Sequence, residues 1–334
     1  MDVSARIVTL ELAETFVIAR ETQDTAEVVQ VEIRQGGEAG YGEAAPIARY
    51  DQSAESALAF IEEHADRDSL DWIYEEHEEP AARSALDAAL LDLRAKAAGT
   101  PAWRMLGLDR VGPPTSWTIW LGDPDDMARR AESTAALGRF RRLKLKLGAR
   151  DGLDVERVRA VRAVTSLPLQ VDVNEFWTLE EALDAVQELA RLGVDYCEQP
   201  LPQGDPGGAE LKRRSPLPIY VDEDCHTLAD LDTCAEIAHG VTIKLAKSRG
   251  VTEALAMARK ARELGLGVML GCMIESGLGI AAGCLVAPLC DHVDLDGNLL
   301  LAHDPWPGIE LVDGVQIPPE APGLGVREAA ADPR

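Results

Sequence analysis

Residues 143–147 read LKLKL: Leu143, Lys144, Leu145, Lys146 and Leu147. Successive side chains of an extended chain point to opposite faces, so a strand here sets two ammonium groups on one face and three leucines on the other. The choice of lysine stands out. The 334-residue chain carries a formal net charge of -25, and only seven of its 33 basic residues are lysines: Lys96, Lys144, Lys146, Lys212, Lys244, Lys247 and Lys260.

Outward from this strand the chain repeats itself. Strand-like runs SWTIWL, RLKLKL, PLQVDV, VDYCEQ, PIYVDE, GVTIKL, LGVMLGCM and HVDLDG alternate with helical stretches such as GLDVERVRAVRAVT, TLEEALDAVQELARLG and GVTEALAMARKARELG. One polar residue per strand, Lys146, Asp172, Glu198, Asp222 and Lys244, recurs at steps of 26, 26, 24 and 22 residues. That is the period of one strand–helix unit. Such units build an open doubly wound sheet or a closed barrel. The first strand runs into TIWLGDPDD, without the G-x-G-x-x-G loop that an open sheet usually carries. Polar side chains at the carboxyl ends of successive strands are how a TIM barrel builds its site. The fold class read from this is α/β, a TIM-type barrel of about eight strands over residues 113–304.

Residues 1–112 read as a separate α+β unit. ARIVTLEL, TAEVVQVEIRQ and AGYGEAA alternate like antiparallel strands, and SAESALAFIEEHA and EPAARSALDAALLDLRAKAAG carry helical spacing, with Pro80 opening the second helix and Gly99 closing it. The tail, residues 305–334, is Pro- and Gly-rich and is expected to pack back on this first unit.

At 46% hydrophobic and 27% charged, the chain suits a sizeable core. Its acidic surplus argues against nucleic acid and anionic membranes as partners. MDVSARIVTLEL lacks the basic and apolar regions of a signal peptide, and GLGIAAGCLVAPLC (277–290) is too short and too broken to span a bilayer. The six cysteines form no C-x-x-C pair and read as reduced thiols of a cytoplasmic protein. Whether the chain forms a homo-oligomer is left open.

The strand ends define a constellation. Asp172, Glu198 and Asp222 fall on three neighbouring strands, about 4.8 Å apart. Convergent carboxylates repel unless a cation joins them, and an all-oxygen ligand set favours Mg²⁺. Nothing suits zinc: His64, His77, His226, His239, His292 and His303 are scattered. Lys144 and Lys146 flank the trio on one side and Lys244 on the other. Mutual repulsion is expected to lower the pKa values of these lysines, so that each can serve as a base near neutral pH. A lysine on each side of a metal-bound carboxylate is the layout for removing a proton from one face of a carbon and returning one to the other.

These motifs together resemble the enolase superfamily, in its muconate-lactonising-enzyme-like subgroup. The resemblance covers nearly the whole chain: GYGEAAPIARY (40–50), LKLKLG, VDVNEFW, YCEQPL, VDEDC, IKLAK, GCMIES and DLDG. Within the subgroup the chain looks most like the dipeptide epimerases, the L-Ala-D/L-Glu epimerase family, whose Asp-x-Asp on the eighth strand is matched by Asp294 and Asp296. The resemblance implies a modified barrel of (β/α)7β type beneath an N-terminal capping domain that the C-terminal tail completes. It implies an isomerase with a small dipeptide substrate. Asp172, Glu198 and Asp222 would bind Mg²⁺, which holds the substrate carboxylate and stabilises the enolate. Lys146 and Lys244 would be the acid/base pair, with Lys144 tuning Lys146. Asp294 and Asp296 would bind the dipeptide ammonium, and Arg20 an anionic side chain. Thr118 and the backbone near Met273 and Ile274 are further candidates to line the site. Ser248-Arg249-Gly250, Glu175-Phe176 and RYDQS (49–53) depart from the family's usual pattern and leave the particular dipeptide open.

The same residues also have plainer readings. Lysines on an exposed edge strand would block aggregation, but a central strand of a βα repeat has no exposed edge. Asp at strand ends commonly caps helices, although Glu198 is a poor cap. Asp294 and Asp296 would also suit a turn before Gly297-Asn298. VDED offers Asp222 at the strand end, with Glu223 as runner-up ligand. Lys247 reads as a solvated loop residue. The same site would serve an o-succinylbenzoate synthase, an N-acylamino acid racemase or a muconate cycloisomerase, and a non-enzymatic alternative is a barrel that binds a metal and an acidic ligand without turnover.

Overall fold

The alternation that begins in ARIVTLEL extends into a three-stranded antiparallel sheet of β1 (Asp2–Val17), β2 (Thr22–Gln35) and β3 (Glu38–Ala44), paired in that order. The computed structural model describes residues 1–65, 69, 71–74 and 78–330, so His77 lies outside the described residues. Helix α1 (Ala54–His64) starts at a capping box in which Ser53 and Ser56 bond each other's backbone N–H groups. Helix α2 (Pro80–Ala97) opens on its proline, and Gly99 follows it at φ 63°. The helix lies directly on β3 because Gly40 and Gly42 have no side chains. A Cβ at Gly42 would stand 2.0 Å from Ala85 O, and one at Gly40 2.1 Å from Ala89 O. A short helix, α3 (Ala102–Met105), leads out of the cap.

The rest is a parallel barrel. Its strands are β4 (Trp117–Ile119), β5 (Leu143–Lys146), β6 (Leu169–Asp172), β7 (Val194–Glu198), β8 (Ile219–Val221), β9 (Gly240–Lys244), β10 (Gly267–Gly271) and β11 (His292–Asp294), each hydrogen-bonded to its neighbour in chain order. Seven helices connect them: α4 (Pro124–Leu137), α5 (Asp154–Val164), α6 (Leu179–Arg191), α7 (Gly208–Arg214), α8 (Leu231–Ile237), α9 (Val251–Glu263) and α10 (Gly277–Cys284). A 3-10 turn, Gly297–Leu300, follows β11 in place of an eighth helix. Ser116 N donates to Val293 O at 2.9 Å, and a Thr115–Val293 bridge brings the last strand against the first. The architecture is therefore (β/α)7β, as the strand count and the resemblance led one to expect.

The opening stretch fits this frame. Leu143, Leu145 and Leu147 are wholly buried beneath Met127 and Ala131 of α4 and Val158 and Val161 of α5. Each such leucine contributes roughly 1.5–3 kcal/mol. The alternate positions, Lys144 and Lys146, are thereby directed into the barrel. On the far side of the sheet interior, Tyr196, Tyr220 and Met269 pack together as a plug below the acidic layer.

The tail divides its contacts. A hairpin of β12 (Glu310–Val312) and β13 (Val315–Ile317) meets the barrel where Thr115 N donates to Gly314 O at 2.7 Å. Further on, Ala102 N donates to Gly323 O at 2.7 Å and Leu324 N to Asp92 Oδ1 of α2 at 2.7 Å. Among the described residues no helix is long and apolar enough to cross a membrane.

Candidate active site

Strand register assembles the site. Lys146 pairs with Asp172 and Asp172 with Glu198, while Gly271 stands level with Lys244 on one side and Asp294 on the other. Above these strand ends the cap encloses a cavity of about 630 Å³. Every expected site residue lines it except Asp172 and Glu198, which lie behind it, fully buried.

The ammonium groups reach the acids directly. Lys144 Nζ lies 2.7 Å from Asp294 Oδ2, 2.8 Å from Glu198 Oε2 and 3.2 Å from Asp172 Oδ2. Lys146 Nζ lies 2.7 Å from Asp172 Oδ2, and Lys244 Nζ 2.7 Å from Asp222 Oδ2. Lys144 is 1% exposed, whereas Lys146 and Lys244 are 8% and 9% exposed, so the latter two are the lysines open to a bound molecule. Asp296 Oδ2 accepts from Thr118 N at 2.7 Å, and Asp294 Oδ1 is buried without a donor.

One expectation is corrected. The pKa values of Lys144 and Lys244 are not lowered. Burial pushes Lys244 and Lys144 down, but Asp222 beside Lys244, and Asp294, Glu198 and Asp172 around Lys144, hold both above the ordinary lysine value. Asp172 and Asp222 answer in kind: burial would raise them, and the adjoining lysines hold both well below the usual carboxylate range. For other acids burial outweighs the nearby cations. Burial, with Asp172 and Asp222 nearby, pushes Glu198 and Glu223 up to about 7, and burial beside Asp294 does the same to Asp296.

That imbalance bears on a metal. Among the described residues, no three acidic, thiol or imidazole side chains are gathered as a finished coordination shell; each of the three acids is turned to an ammonium. The donor set nevertheless fits an oxygen-seeking divalent cation. Glu198 Oε2 is buried without an aligned hydrogen-bond donor, although Lys144 Nζ stands 2.8 Å away. The distance marks an attraction of charges and the missing alignment marks an oxygen still free to coordinate, so the two observations are compatible. Thr242 Oγ1 donates to Glu198 Oε1 at 3.2 Å, which turns the other oxygen away from it.

Lys247 and Arg20 differ from the sequence expectation. Lys247 is no solvated loop residue: it is 2% exposed and bonded to Asp222. The signal was available, since lysine is scarce in this chain and Lys247 follows Lys244 by three positions. Arg20 lines the cavity but is engaged there, donating to Glu223 and, at 3.0 Å, to Asn174 O, with Glu175 Oε2 at 3.3 Å. Glu175 also takes both Arg49 Nε and Nη2, at 3.0 and 2.9 Å. Glu175, one of the departures from the family pattern, thus forms an ion pair between cap and barrel.

Buried acids and facing lysines at the carboxyl end of a parallel barrel define an acid–base site built to act beside a carboxylate. The comparisons agree. A family model described as enolase C-terminal domain-like matches residues 126–330, and one for the mandelate racemase / muconate lactonizing enzyme N-terminal domain matches residues 2–107. An L-Ala-D/L-Glu epimerase of Bacteroides thetaiotaomicron is 37% identical over 330 residues, covering 95% of this chain and 85% of that one. An L-Ala-D/L-amino acid epimerase of Pedosphaera parvula is 39% identical over 341 residues, covering 95% and 97%. The dipeptide epimerase of Enterococcus faecalis, solved with Mg and the dipeptide L-Leu-L-Tyr, superposes with a TM-score of 0.92 at 30% identity, covering 97% and 98%. The chain belongs to the enolase superfamily, in the mandelate racemase / muconate lactonizing enzyme family and among its dipeptide epimerases.

Proposed function

We propose that the protein is a Mg²⁺-dependent dipeptide epimerase of the L-Ala-D/L-Glu epimerase type, an isomerase that moves a proton at the α-carbon of the C-terminal residue. One observation carries the reading. Lys146 on β5 and Lys244 on β9 are four strands apart in an eight-stranded ring, so they face each other across the mouth of the barrel. A carbon held between them presents one face to each. The neutral amine of one takes the α-proton, and the ammonium of the other delivers its proton to the opposite face, which inverts the centre. Asp172, Glu198 and Asp222 would hold the cation. When bound, it supplies positive charge for the substrate carboxylate and neutralises Asp222, which otherwise holds the Lys244 pKa up. Lys144, fixed by three carboxylates, adds a constant charge nearby. Asp294, Asp296, Thr118, Met273 and Ile274 all line the cavity; the two acids would accept from the dipeptide ammonium and the other three would line the bound peptide.

Residues 1–112 would serve as the cap, 113–304 as the catalytic barrel and 305–334 as the segment that ties them. Six free cysteines support a cytoplasmic location.

The test is α-proton exchange in D₂O, followed by NMR, on a dipeptide panel and on matching N-acylamino acids. Free dipeptides should exchange in Mg²⁺, and exhaustive chelation should stop it. Asp296→Asn should slow dipeptides far more than N-acyl compounds, because a charge-assisted partner worth roughly 1.5–3 kcal/mol is lost. Full activity after chelation would overturn the Mg²⁺ assignment, and equal losses on both substrate kinds would favour a racemase or cycloisomerase on the same scaffold.

A further inference from the structure

Lys247 has no part in the proton transfer above, yet it is among the largest fully buried side chains of the protein. Lysine is almost never buried in this way unless it is paired. The backbone puts it there. After β9 the chain turns, Lys247 N and Ser248 N both donating to Lys244 O at 3.0 Å, and the side chain folds back behind the strand ends. Its Nζ donates to Asp222 Oδ1 at 2.5 Å, to Asp222 O, and to Cys225 O at 2.8 Å, with Thr242 O at 3.4 Å. An ammonium has three donors, and the three shorter contacts take them all. Lys247 does not line the cavity, whereas Asp222 does. The two oxygens of Asp222 are therefore divided: Oδ1 is gripped from behind by Lys247, and Oδ2 meets the cavity-lining Lys244 at 2.7 Å.

We infer that Lys247 is a positioning residue, which fixes the rotation of the Asp222 carboxylate so that Oδ2 is presented to the cation and to Lys244. The inference rests on the functional reading above for what Asp222 and Lys244 do. Its opposite is easily stated. An ammonium beside a cation site also repels the cation. If Lys247 acted only as a charge, its loss would tighten metal binding; if it acts as a prop, its loss weakens binding. If it merely stitched two loops together, both faces of the substrate would suffer alike.

The experiment uses the full chain with Lys247→Met and Lys247→Arg. Mn²⁺ affinity is measured by EPR without dipeptide, and α-proton exchange in D₂O is measured for each stereoisomer with metal present. The isomer served by Lys244 is the one whose exchange survives Lys146→Ala. Lys247→Met should raise the Mn²⁺ Kd about tenfold or more, as loss of a partner to a metal-binding carboxylate typically does. It should also slow the Lys244-served isomer at least about tenfold more than the other, since Asp222 bonds Lys244 and not Lys146. Lys247→Arg keeps the charge but replaces a three-donor tripod with a planar fork. It should show the same two shifts at smaller size, and it decides the matter if the methionine variant does not fold. A Kd that tightens or stays within about twofold, or equal slowing of both isomers, overturns the inference. If the wild-type protein exchanges no dipeptide proton at all, the functional reading fails, and the Mn²⁺ arm still decides whether Lys247 holds Asp222.

Discussion

Lys144 and Lys146 share one strand face and differ in freedom. Lys144 is locked among Asp294, Glu198 and Asp172, while Lys146, among the described residues, forms an ion pair with Asp172 alone and opens on the cavity. The first suits a fixed charge and the second a group that gives and takes a proton. Replacing either facing lysine should therefore stop net epimerisation but not all chemistry. Lys244→Ala should leave Lys146 able to exchange the proton of the isomer it faces, with configuration retained, and Lys146→Ala should leave exchange with the other isomer. Rates should fall, because each change also removes positive charge near the developing enolate. NMR in D₂O on each variant with each isomer reads this out, and full epimerase activity in either variant would refute the two-base arrangement. These lysines and the acids were legible in the sequence because spacing alone brings strand ends together. The grip of Lys247 on Asp222 and the engagement of Arg20 by Glu223 were not. They depend on how loops fold back after the strands, and no periodicity encodes that.

Between elements, the contact of β3 with α10 carries its own titration. Glu43 accepts from Ser276 N at 2.7 Å, from Ser276 Oγ, and from Gln30 Nε2 at 3.2 Å. These bonds and the helix N-terminus favour the carboxylate. Burial outweighs them, and with Asp304 close by it pushes Glu43 up to about 7 from 4.5. Glu275, at the same junction, is pushed up to about 7 by burial and by Glu43. The sign follows from linkage. Below pH 4.5 the group is protonated whether the chain is folded or not. Between about 4.5 and 7 the unfolded chain gives up its proton and the folded one keeps it, so stability falls as pH rises, then levels off. Each such acid costs on the order of 3 kcal/mol above that window. Glu43→Gln should therefore lose less stability than wild type between pH 5 and pH 8, measured by denaturant unfolding at both. A wild type that lost no more than the variant would contradict the assignment. This junction was invisible in the sequence, which marks Glu43 only as part of a motif, whereas the strands and helices themselves were plain. Alternation and the strand–helix period reveal elements; pairing between distant elements, such as the Thr115–Val293 closure, needs the barrel in hand.

Over the whole molecule the charge imbalance sets the balance between repulsion and pairing. The chain has 58 acidic and 33 basic residues. Many arginines are spent on local surface pairs one helical turn apart, such as Arg159 with Glu156, Arg191 with Glu188 and Arg214 with Glu210. Exposed pairs of this kind contribute roughly 0.3–0.5 kcal/mol each, and salt weakens them. The acids outnumber the basic residues by 25 (58 against 33), and in the compact state they are forced closer together than in the unfolded chain. Salt therefore acts in two directions, removing a little attraction from the pairs and much repulsion from the surplus. Screening length falls from about 30 Å at 0.01 M to about 3 Å at 1 M, so at the upper end only near neighbours still interact. Repulsion summed over the surplus should dominate, and KCl should stabilise the fold across that range. A gain of ~2 kcal/mol would raise Tm by roughly 3 °C. Circular dichroism melts in chelator, from low KCl to about 1 M, test this without interference from divalent cations. A Tm that fell or stayed level would mean that the surface pairs outweigh the surplus charge.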